Sequence, residues 1–105
     1  MSVVIALDVM GGDRAPEIVI EGADLALGRN PELRFILFGD EARIGPLLAG
    51  HPGLRQAAEL HHTPDAVAAD AKPSVALRQG RNSSMRLAID AVQDGRAGAA
   101  VSAGN

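Results

Sequence analysis

The chain has 105 residues, 47% of them hydrophobic and 22% charged, which is the composition of a folded globular protein and excludes a disordered or collagen-like chain. It contains no cysteine, which excludes disulfides and thiolate metal sites. The formal net charge of −3, with phenylalanine at only two positions and no other aromatic residue, speaks against a nucleic-acid partner, and no apolar run approaches the ~20 residues of a membrane-spanning helix.

The first predicted element is a strand at residues 3–7, a continuous run of aliphatic and mostly β-branched side chains. Such a run is typical of a strand buried on both faces, as in a parallel sheet. The strand ends at a polar loop, residues 8–13, in which Gly11 and Gly12 permit a tight turn and close approach of a ligand to the backbone.

A first helix is predicted over residues 16–29, because Pro16 fits the first helical turn and Glu17 complements the helix dipole. Its small and apolar positions recur at helical spacing. They form one stripe of Ile18, Gly22 and Leu25, with a neighbouring stripe of Val19, Ala23 and Ala26. The Asn30-Pro31 pair is expected to end the helix.

Residues 34–39 predict a second strand, which is again a continuous apolar run that ends in glycine. Asp40 then provides a suitable N-cap for a short helix over residues 41–44. We expect Gly45 and Pro46 to interrupt this helix, because proline removes a backbone donor and clashes with the preceding turn. The helix could resume at Leu47 and Leu48.

A third strand is predicted at residues 54–62 from its place in the strand-helix pattern of the chain, although alanine and glutamate in its centre are poor strand formers. Residues 63–72 are small, polar and interrupted by proline, so they are predicted to be mostly loop. A short helix over residues 73–78 could open at a proline.

A further helix is predicted over residues 84–94, with Asn82 or Ser83 as its N-cap and Gly95 at its end. Its apolar stripe consists of Leu87, Ala88, Ala91 and Val92. The last predicted strand covers residues 99–101 and is followed by a short polar segment.

Strands that alternate with helices predict an α/β fold of three layers, α/β/α, with a mostly parallel sheet. In such sheets ligands bind beyond the carboxyl ends of the strands. Two polar, glycine-bearing segments, residues 8–13 and 102–105, are expected at that edge. Because the last strand ends on an unfinished loop, we expect residues 1–105 to be the amino-terminal part of a longer protein.

The loop after the first strand carries Asp8 and Asp13 on either side of its two glycines. These carboxylates could hold a metal, orient a polar substrate group or cap their own turn, and the residue types alone leave all three open. The dinucleotide-binding pattern GxGxxG is absent. His61 and His62 cannot chelate one ion together, because neighbours on a strand point to opposite faces.

Two other segments have the residue types of an anion site. Arg78 and Arg81 precede the helix start at Asn82, and helix N-termini with guanidinium groups nearby bind phosphate. An ordinary serine N-cap beside solvated arginines is the alternative. The segment 102–105 could donate N–H groups and an amide to an oxyanion or a phosphate, or it could be a turn whose remainder is missing.

Three segments together resemble one family, the PlsX phosphate acyltransferases of bacterial phospholipid synthesis. They are residues 8–16 (Asp-Val-Met-Gly-Gly-Asp-Arg-Ala-Pro), 81–85 (Arg-Asn-Ser-Ser-Met) and 102–105 (Ser-Ala-Gly-Asn). The resemblance runs from Met1 to Asn105, and the first segment is specific to the family. The family usually has a more basic stretch before the Asn-Ser-Ser motif, whereas this chain has the uncharged Gln79 and Gly80 there. The last motif of the family also continues with a Thr-Gly pair, which would follow Asn105.

This resemblance implies a fold similar to the isocitrate/isopropylmalate dehydrogenases and the phosphate acetyltransferases. It implies transfer of a long-chain acyl group from acyl carrier protein to orthophosphate, without metal or organic cofactor. The acyl phosphate would serve a membrane acyltransferase that acylates glycerol 3-phosphate. The family implies a cytoplasmic homodimer that associates peripherally with the inner face of the membrane. An isolated piece of 105 residues is expected to be incomplete and inactive.

On the same resemblance, residues can be assigned to steps of the reaction. Gly104 and Asn105 are assigned to contact with the oxyanion of the tetrahedral intermediate or with the acyl phosphate, and Arg81 with the following helix start to phosphate. Asp8 and Asp13 would shape their loop without touching phosphate, which a carboxylate repels. The expected substrate- or phosphate-binding set is Asp8, Gly11, Gly12, Asp13, Arg81, Asn82, Ser83, Ser84 and Ser102.

Three other functions compete with this assignment. A phosphate acetyltransferase-like enzyme would use a small coenzyme A thioester on the same arrangement of loops. A non-catalytic anion-binding α/β module would bind phosphate without turnover. A dehydrogenase of the isopropylmalate type would need magnesium and NAD.

Overall fold

A computed structural model of the chain describes residues 3–10, 15–63 and 84–102, and these residues form four strands and four helices. The strands are β1 (Val3–Asp8), β2 (Leu33–Gly39), β3 (Ala58–His62) and β4 (Ala99–Ser102). The helices are α1 (Glu17–Arg29), α2 (Glu41–Ala49), α3 (Pro52–Ala57) and α4 (Ser84–Gln93). The predicted helix over 73–78, the loop over 64–72 and the caps Asn82 and Ser83 lie outside the described residues.

All four strands are parallel and lie in the order β3-β2-β1-β4, which confirms the predicted parallel α/β sheet. The register places Asp8, the last residue of β1, opposite Phe38 of β2 and Ser102 of β4. Gly39 at the end of β2 is opposite His62. The carboxyl ends of the strands therefore meet along one edge, with β1 at its centre.

The core consists of two apolar layers, one on each face of the sheet. On one face the strands pack against α1, α2 and α3. That layer contains Leu7, Val9, Ile20, Ala23, Phe35, Leu37, Ile44, Leu48 and Leu54. On the other face α4 packs against β1 and β2, and that layer contains Ala6, Ile36, Phe38, Ala88, Ala91 and Ala97. Successive residues of β2 alternate between the layers, which explains its continuous apolar run.

Helix α4 agrees with the prediction in extent and in its buried face. Ala88 and Ala91 are buried, while Leu87 and Val92 pack partly buried beside them. Small alanine side chains let the helix approach the sheet closely. Gly95, with a φ of +79°, follows the helix in the left-handed conformation that glycine adopts at little cost.

Helix α2 corrects the expectation of a break at Gly45 and Pro46, because it continues to Ala49 with the proline inside. The Asp40 side chain accepts a hydrogen bond from the Ala42 N–H at 3.0 Å, which confirms the predicted N-cap. Ile44 and Leu48 lie one turn apart and are both buried. Their burial holds the helix together across Pro46, whose ring faces solvent.

The third strand is shorter than predicted, because residues 52–57 form helix α3 and the strand begins only at Ala58. Pro52 occupies the first turn of the helix, where proline costs nothing in hydrogen bonding. Leu54 and Ala57 are three residues apart and both buried, which is the spacing of a helix face. The apolar positions in this stretch therefore follow the helical period at first and the strand period later.

Helix α1 has the predicted end at Arg29, and of the two predicted stripes it buries the side of Val19 and Ala23 and not that of Ile18 and Leu25. Ile18 and Leu25 are 42% and 70% exposed, whereas Ile20 and Ala23 are buried. Leu27 continues this buried stripe and packs against the core. Two apolar stripes compete in the sequence, and packing against α2 and α3 selects the second. Of the helices in the described segments, none is long and apolar enough to cross a membrane.

Gly39 closes β2 at a position that has no room for a side chain. A Cβ there would lie 2.5 Å from Cδ1 of the buried Ile44 and 2.9 Å from Cγ of Met10. We expect Gly39→Ala to lower the free energy of unfolding by about 1–3 kcal/mol, because these core side chains must shift. Urea denaturation of the full-length protein measures the change.

The matched control is Gly22→Ala in the exposed face of α1, where nothing lies within 4 Å of the added Cβ. This control should leave stability unchanged or raise it by up to about 1 kcal/mol, because alanine favours helix over glycine. A Gly39→Ala protein as stable as the Gly22→Ala protein would contradict the account of the β2 end.

Candidate functional site

The carboxyl ends of β1 and β4 and the start of α4 meet at one buried carboxylate. Asp8 ends β1 and is only 2% exposed. Its Oδ1 accepts hydrogen bonds from the Met10 backbone N–H at 3.1 Å and from the Ser84 hydroxyl. Its Oδ2 accepts a hydrogen bond from the Ser102 hydroxyl at 2.6 Å. Three separate parts of the chain thus donate to the two oxygens of one side chain.

The chain leaves β1 through a turn that Asp8 itself organises. The Val9 N–H donates to the Phe38 carbonyl at 3.0 Å, so this residue still follows the sheet. The next N–H, that of Met10, donates a hydrogen bond to the Asp8 carboxylate. Aspartate side chains commonly accept such a bond from the backbone two residues later in turns. Val9 is fully buried and anchors the turn in the core.

Ser84 begins α4 and is itself 2% exposed. Its hydroxyl reaches a carboxylate that lies 76 residues earlier in the chain. The negative charge of Asp8 lies next to the amino end of α4, where the helix dipole favours an anion. Burial of Ala88 and Ala91 against the sheet holds the helix, and hence Ser84, in this position.

Ser102 ends β4 and lies opposite Asp8 in the parallel register. All four residues of β4 are exposed, but the hydrogen bond of Ser102 to Asp8 is partly buried. The pairing of β4 with β1 therefore determines which β4 side chain reaches the carboxylate. A shift of one residue would turn Ser102 to the other face.

The structure brings together the three sequence-predicted site residues that it describes, Asp8, Ser84 and Ser102. The remaining predicted site residues lie outside the described segments; they are Gly11, Gly12, Asp13, Arg81, Asn82, Ser83, Gly104 and Asn105. Each of these follows or precedes, in sequence, one of the three donors to Asp8. The chain thus connects all three predicted site segments directly to one carboxylate.

The sequence analysis did not identify the donors to Asp8. The position of Asp8 indicates that such donors exist, because a carboxylate at the end of a strand buried on both faces needs hydrogen-bond partners. Ser84 and Ser102 are hydroxyl residues that the α/β topology places at the same edge of the sheet. The pairing itself depends on the strand register and the position of α4, and neither can be obtained from local sequence.

His61 and His62 point to opposite faces of the edge strand β3, as predicted. Nε2 of His61 lies 3.0 Å from Glu59 Oε1, and its ring lies 5.3 Å from the ring of Phe38. Nδ1 of His62 accepts a hydrogen bond from the Glu41 N–H at 3.0 Å, at the start of α2. Across the described ranges, no group of three or more potential metal ligands occurs.

A shallow cavity of about 320 Å³ lies away from this edge, near the amino ends of the strands. Val4 and Arg34 contribute to its lining. The Arg34 guanidinium donates to the carbonyls of Pro31 and Leu33, at 3.0 and 2.6 Å, so it is already engaged. Since ligands of parallel sheets bind beyond the carboxyl ends, we place the candidate site at Asp8 and not in this cavity.

These features define a parallel α/β protein that gathers polar loop ends at the carboxyl edge of its sheet. Residues 3–105 match the family described as fatty acid synthesis protein, and the chain belongs to this family. The match confirms the resemblance drawn from the sequence motifs.

Curated relatives bear the name phosphate acyltransferase. The protein of Rhodospirillum centenum is 62% identical over 101 residues, which cover 96% of this chain and 28% of that relative. The protein of Rhodospirillum rubrum is 56% identical over 104 residues, covering 99% of this chain and 30% of the relative. The protein of Paramagnetospirillum magneticum is 53% identical, with the same coverage. The chain therefore spans less than a third of the length of these relatives.

Proposed function

We propose that the full-length protein transfers a long-chain acyl group from acyl carrier protein to orthophosphate, giving acyl phosphate for phospholipid synthesis. The observation that carries the proposal is the convergence on Asp8 of Met10, Ser84 and Ser102. Each of these donors lies within one of the three segments that resemble the acyltransferase family. The name shared by the relatives supports phosphate as the acyl acceptor.

The chemistry requires that phosphate itself act as the nucleophile. A phosphate oxygen attacks the thioester carbonyl carbon and forms a tetrahedral intermediate with an oxyanion. The carbon–sulfur bond then breaks, the acyl phosphate forms, and the carrier-protein thiolate leaves and takes up a proton. No covalent acyl-enzyme is needed, and the protein has to position the two substrates and stabilise the oxyanion.

The sequence motifs, together with the positions of Ser84 and Ser102, support a division of these tasks. Arg81 and the N–H groups at the start of α4 bind phosphate, because a guanidinium beside the amino end of a helix is a common anion site. Gly104 and Asn105, which follow β4 in the sequence after Ala103, donate to the oxyanion. Gly11 and Gly12 follow the turn at Asp8 and allow the backbone to approach the substrate.

The larger context of the reaction is part of the same proposal. Residues 1–105 would form the amino-terminal part of a longer three-layer domain similar to the isocitrate/isopropylmalate dehydrogenases, and the remaining length would complete the site. The protein would be a cytoplasmic homodimer that contacts the inner face of the membrane peripherally. Its product would pass to a membrane glycerol-3-phosphate acyltransferase, and the transfer would use no metal or organic cofactor.

The test is phosphate-dependent release of free thiol from palmitoyl-acyl carrier protein by the full-length protein. We expect activity with this donor and much less with palmitoyl- or acetyl-coenzyme A. Faster reaction with acetyl-coenzyme A would identify a phosphate acetyltransferase instead. Phosphate binding without thiol release from any donor would favour the anion-binding module, and stimulation by magnesium and NAD would favour a dehydrogenase.

A further inference from the structure

Among the described residues at the carboxyl edge, Asp8 accepts hydrogen bonds from Met10, Ser84 and Ser102, yet as a carboxylate it is a poor ligand for phosphate. We propose that Asp8 is a positioning residue, which accepts hydrogen bonds from the hydroxyls of Ser84 and Ser102 and so sets the start of α4 against the end of β4. The two serines then act through Asp8 and do not donate to phosphate. This inference rests on the proposed acyl transfer.

The hydrogen-bond inventory at the carboxylate supports this role. At neutral pH a carboxylate accepts hydrogen bonds and donates none, while a serine hydroxyl has a single proton. The distance of 2.6 Å between Ser102 Oγ and Asp8 Oδ2 is that of a charge-assisted O–H···O⁻ bond. Ser84 donates to Oδ1 in the same way. With both protons directed at Asp8, neither hydroxyl has a proton left for a phosphate oxygen.

The placement of the three residues explains why their geometry matters for the reaction. The bonds join parts of the chain that are 76 and 94 residues apart. Ser84 adjoins the proposed phosphate segment, and Ser102 adjoins the proposed oxyanion donors Gly104 and Asn105. Displacement of a catalytic group by about 1 Å costs on the order of 10²-fold in rate. A carboxylate that holds both segments therefore controls the rate without touching substrate.

The two possible roles of Ser102 differ in kinetics. A hydroxyl that donates to phosphate contributes to phosphate binding, so its loss would raise KM for phosphate by about 10- to 100-fold. A hydroxyl that holds the following residues in place through Asp8 contributes to the transition state, so its loss lowers kcat. Ser102 is suited to the test, because its exposed strand tolerates both alanine and the β-branched threonine.

The experiment compares Ser102→Ala and Ser102→Thr in the full-length protein, with phosphate varied in the palmitoyl-acyl carrier protein assay. We expect Ser102→Ala to lower kcat by about 10-fold, with KM for phosphate within about 3-fold of the unchanged protein. Ser102→Thr keeps the hydroxyl and should restore kcat to within about 3-fold. A large rise in KM, an alanine variant with unchanged kinetics, or a threonine variant as slow as alanine would overturn the proposal.

Thermal unfolding of the same variants separates this inference from the proposed function. If the unchanged protein releases no thiol from any donor, the acyl-transfer proposal fails, and stability then decides the role of Asp8. Loss of the bond in Ser102→Ala should lower Tm by about 2 °C, while Ser102→Thr keeps the original value. Equal Tm values for all three proteins would overturn the positioning role as well.

Discussion

Replacement of Asp8 by alanine is expected to lower the free energy of unfolding of the full-length protein by about 3–5 kcal/mol. The change removes the acceptor of the buried Ser84 hydroxyl and of the Met10 N–H. Each buried donor left without a partner costs about 1–3 kcal/mol, whereas the Ser102 hydroxyl lies nearer to solvent and loses less. Guanidinium denaturation measures the change directly.

Asp8→Asn provides the matched comparison for this prediction. Its amide oxygen still accepts from Ser84 and Met10, and its amide nitrogen donates to the Ser102 oxygen, which becomes an acceptor. We expect this variant to lose less than half as much stability as Asp8→Ala. Equal losses in the two variants, or a loss below about 1 kcal/mol in the alanine variant, would contradict the hydrogen-bond arrangement.

Replacement of Asn105 by alanine should have the largest effect on catalysis. If its amide donates to the oxyanion, its loss lowers kcat on the order of 10²-fold or more, because such a donor acts mainly in the transition state. KM for phosphate should change little. Thiol release from palmitoyl-acyl carrier protein by the full-length variant gives both constants.

The control for Asn105 is Gln93→Ala, at the exposed carboxyl end of α4 and hence at the opposite end of that helix from Ser84. This variant should keep both constants within about 2-fold. A loss of only a few-fold in Asn105→Ala would remove this residue from the oxyanion site, and the backbone N–H groups of the same segment would then be tested.

The elements that could be predicted accurately were those with one dominant signal. The continuous apolar run of β1 and the amphipathic stripe of α4 each allow a single arrangement, and both were confirmed. The errors fell where two signals compete. In α1 two stripes have helical spacing, and in residues 52–57 a helical period precedes a strand, so that local pattern alone does not decide between them.

In helix α2 the local pattern is clear, but packing in the folded protein overrides it. Its glycine and proline predict a break, and their local cost is real. The buried contacts of Ile44 and Leu48 with the sheet outweigh that cost. The same buried cluster includes Leu7 of β1 and Ile20 of α1, which lie well before Pro46 in the chain, so a short window of sequence around Pro46 does not contain the information.

The sequence by itself determined the α/β class, the order of the strands along the chain and the polar segments that follow them, because periodicity and glycine positions are local properties. Only the tertiary structure decided which side chains meet at the sheet edge. Ser84 lies 76 residues and Ser102 lies 94 residues after Asp8 in the chain. The strand register and the packing of α4 against the sheet bring them within hydrogen-bond distance of Asp8. A hydrogen bond has a range of about 3 Å, so its partners are determined only when the whole sheet has assembled.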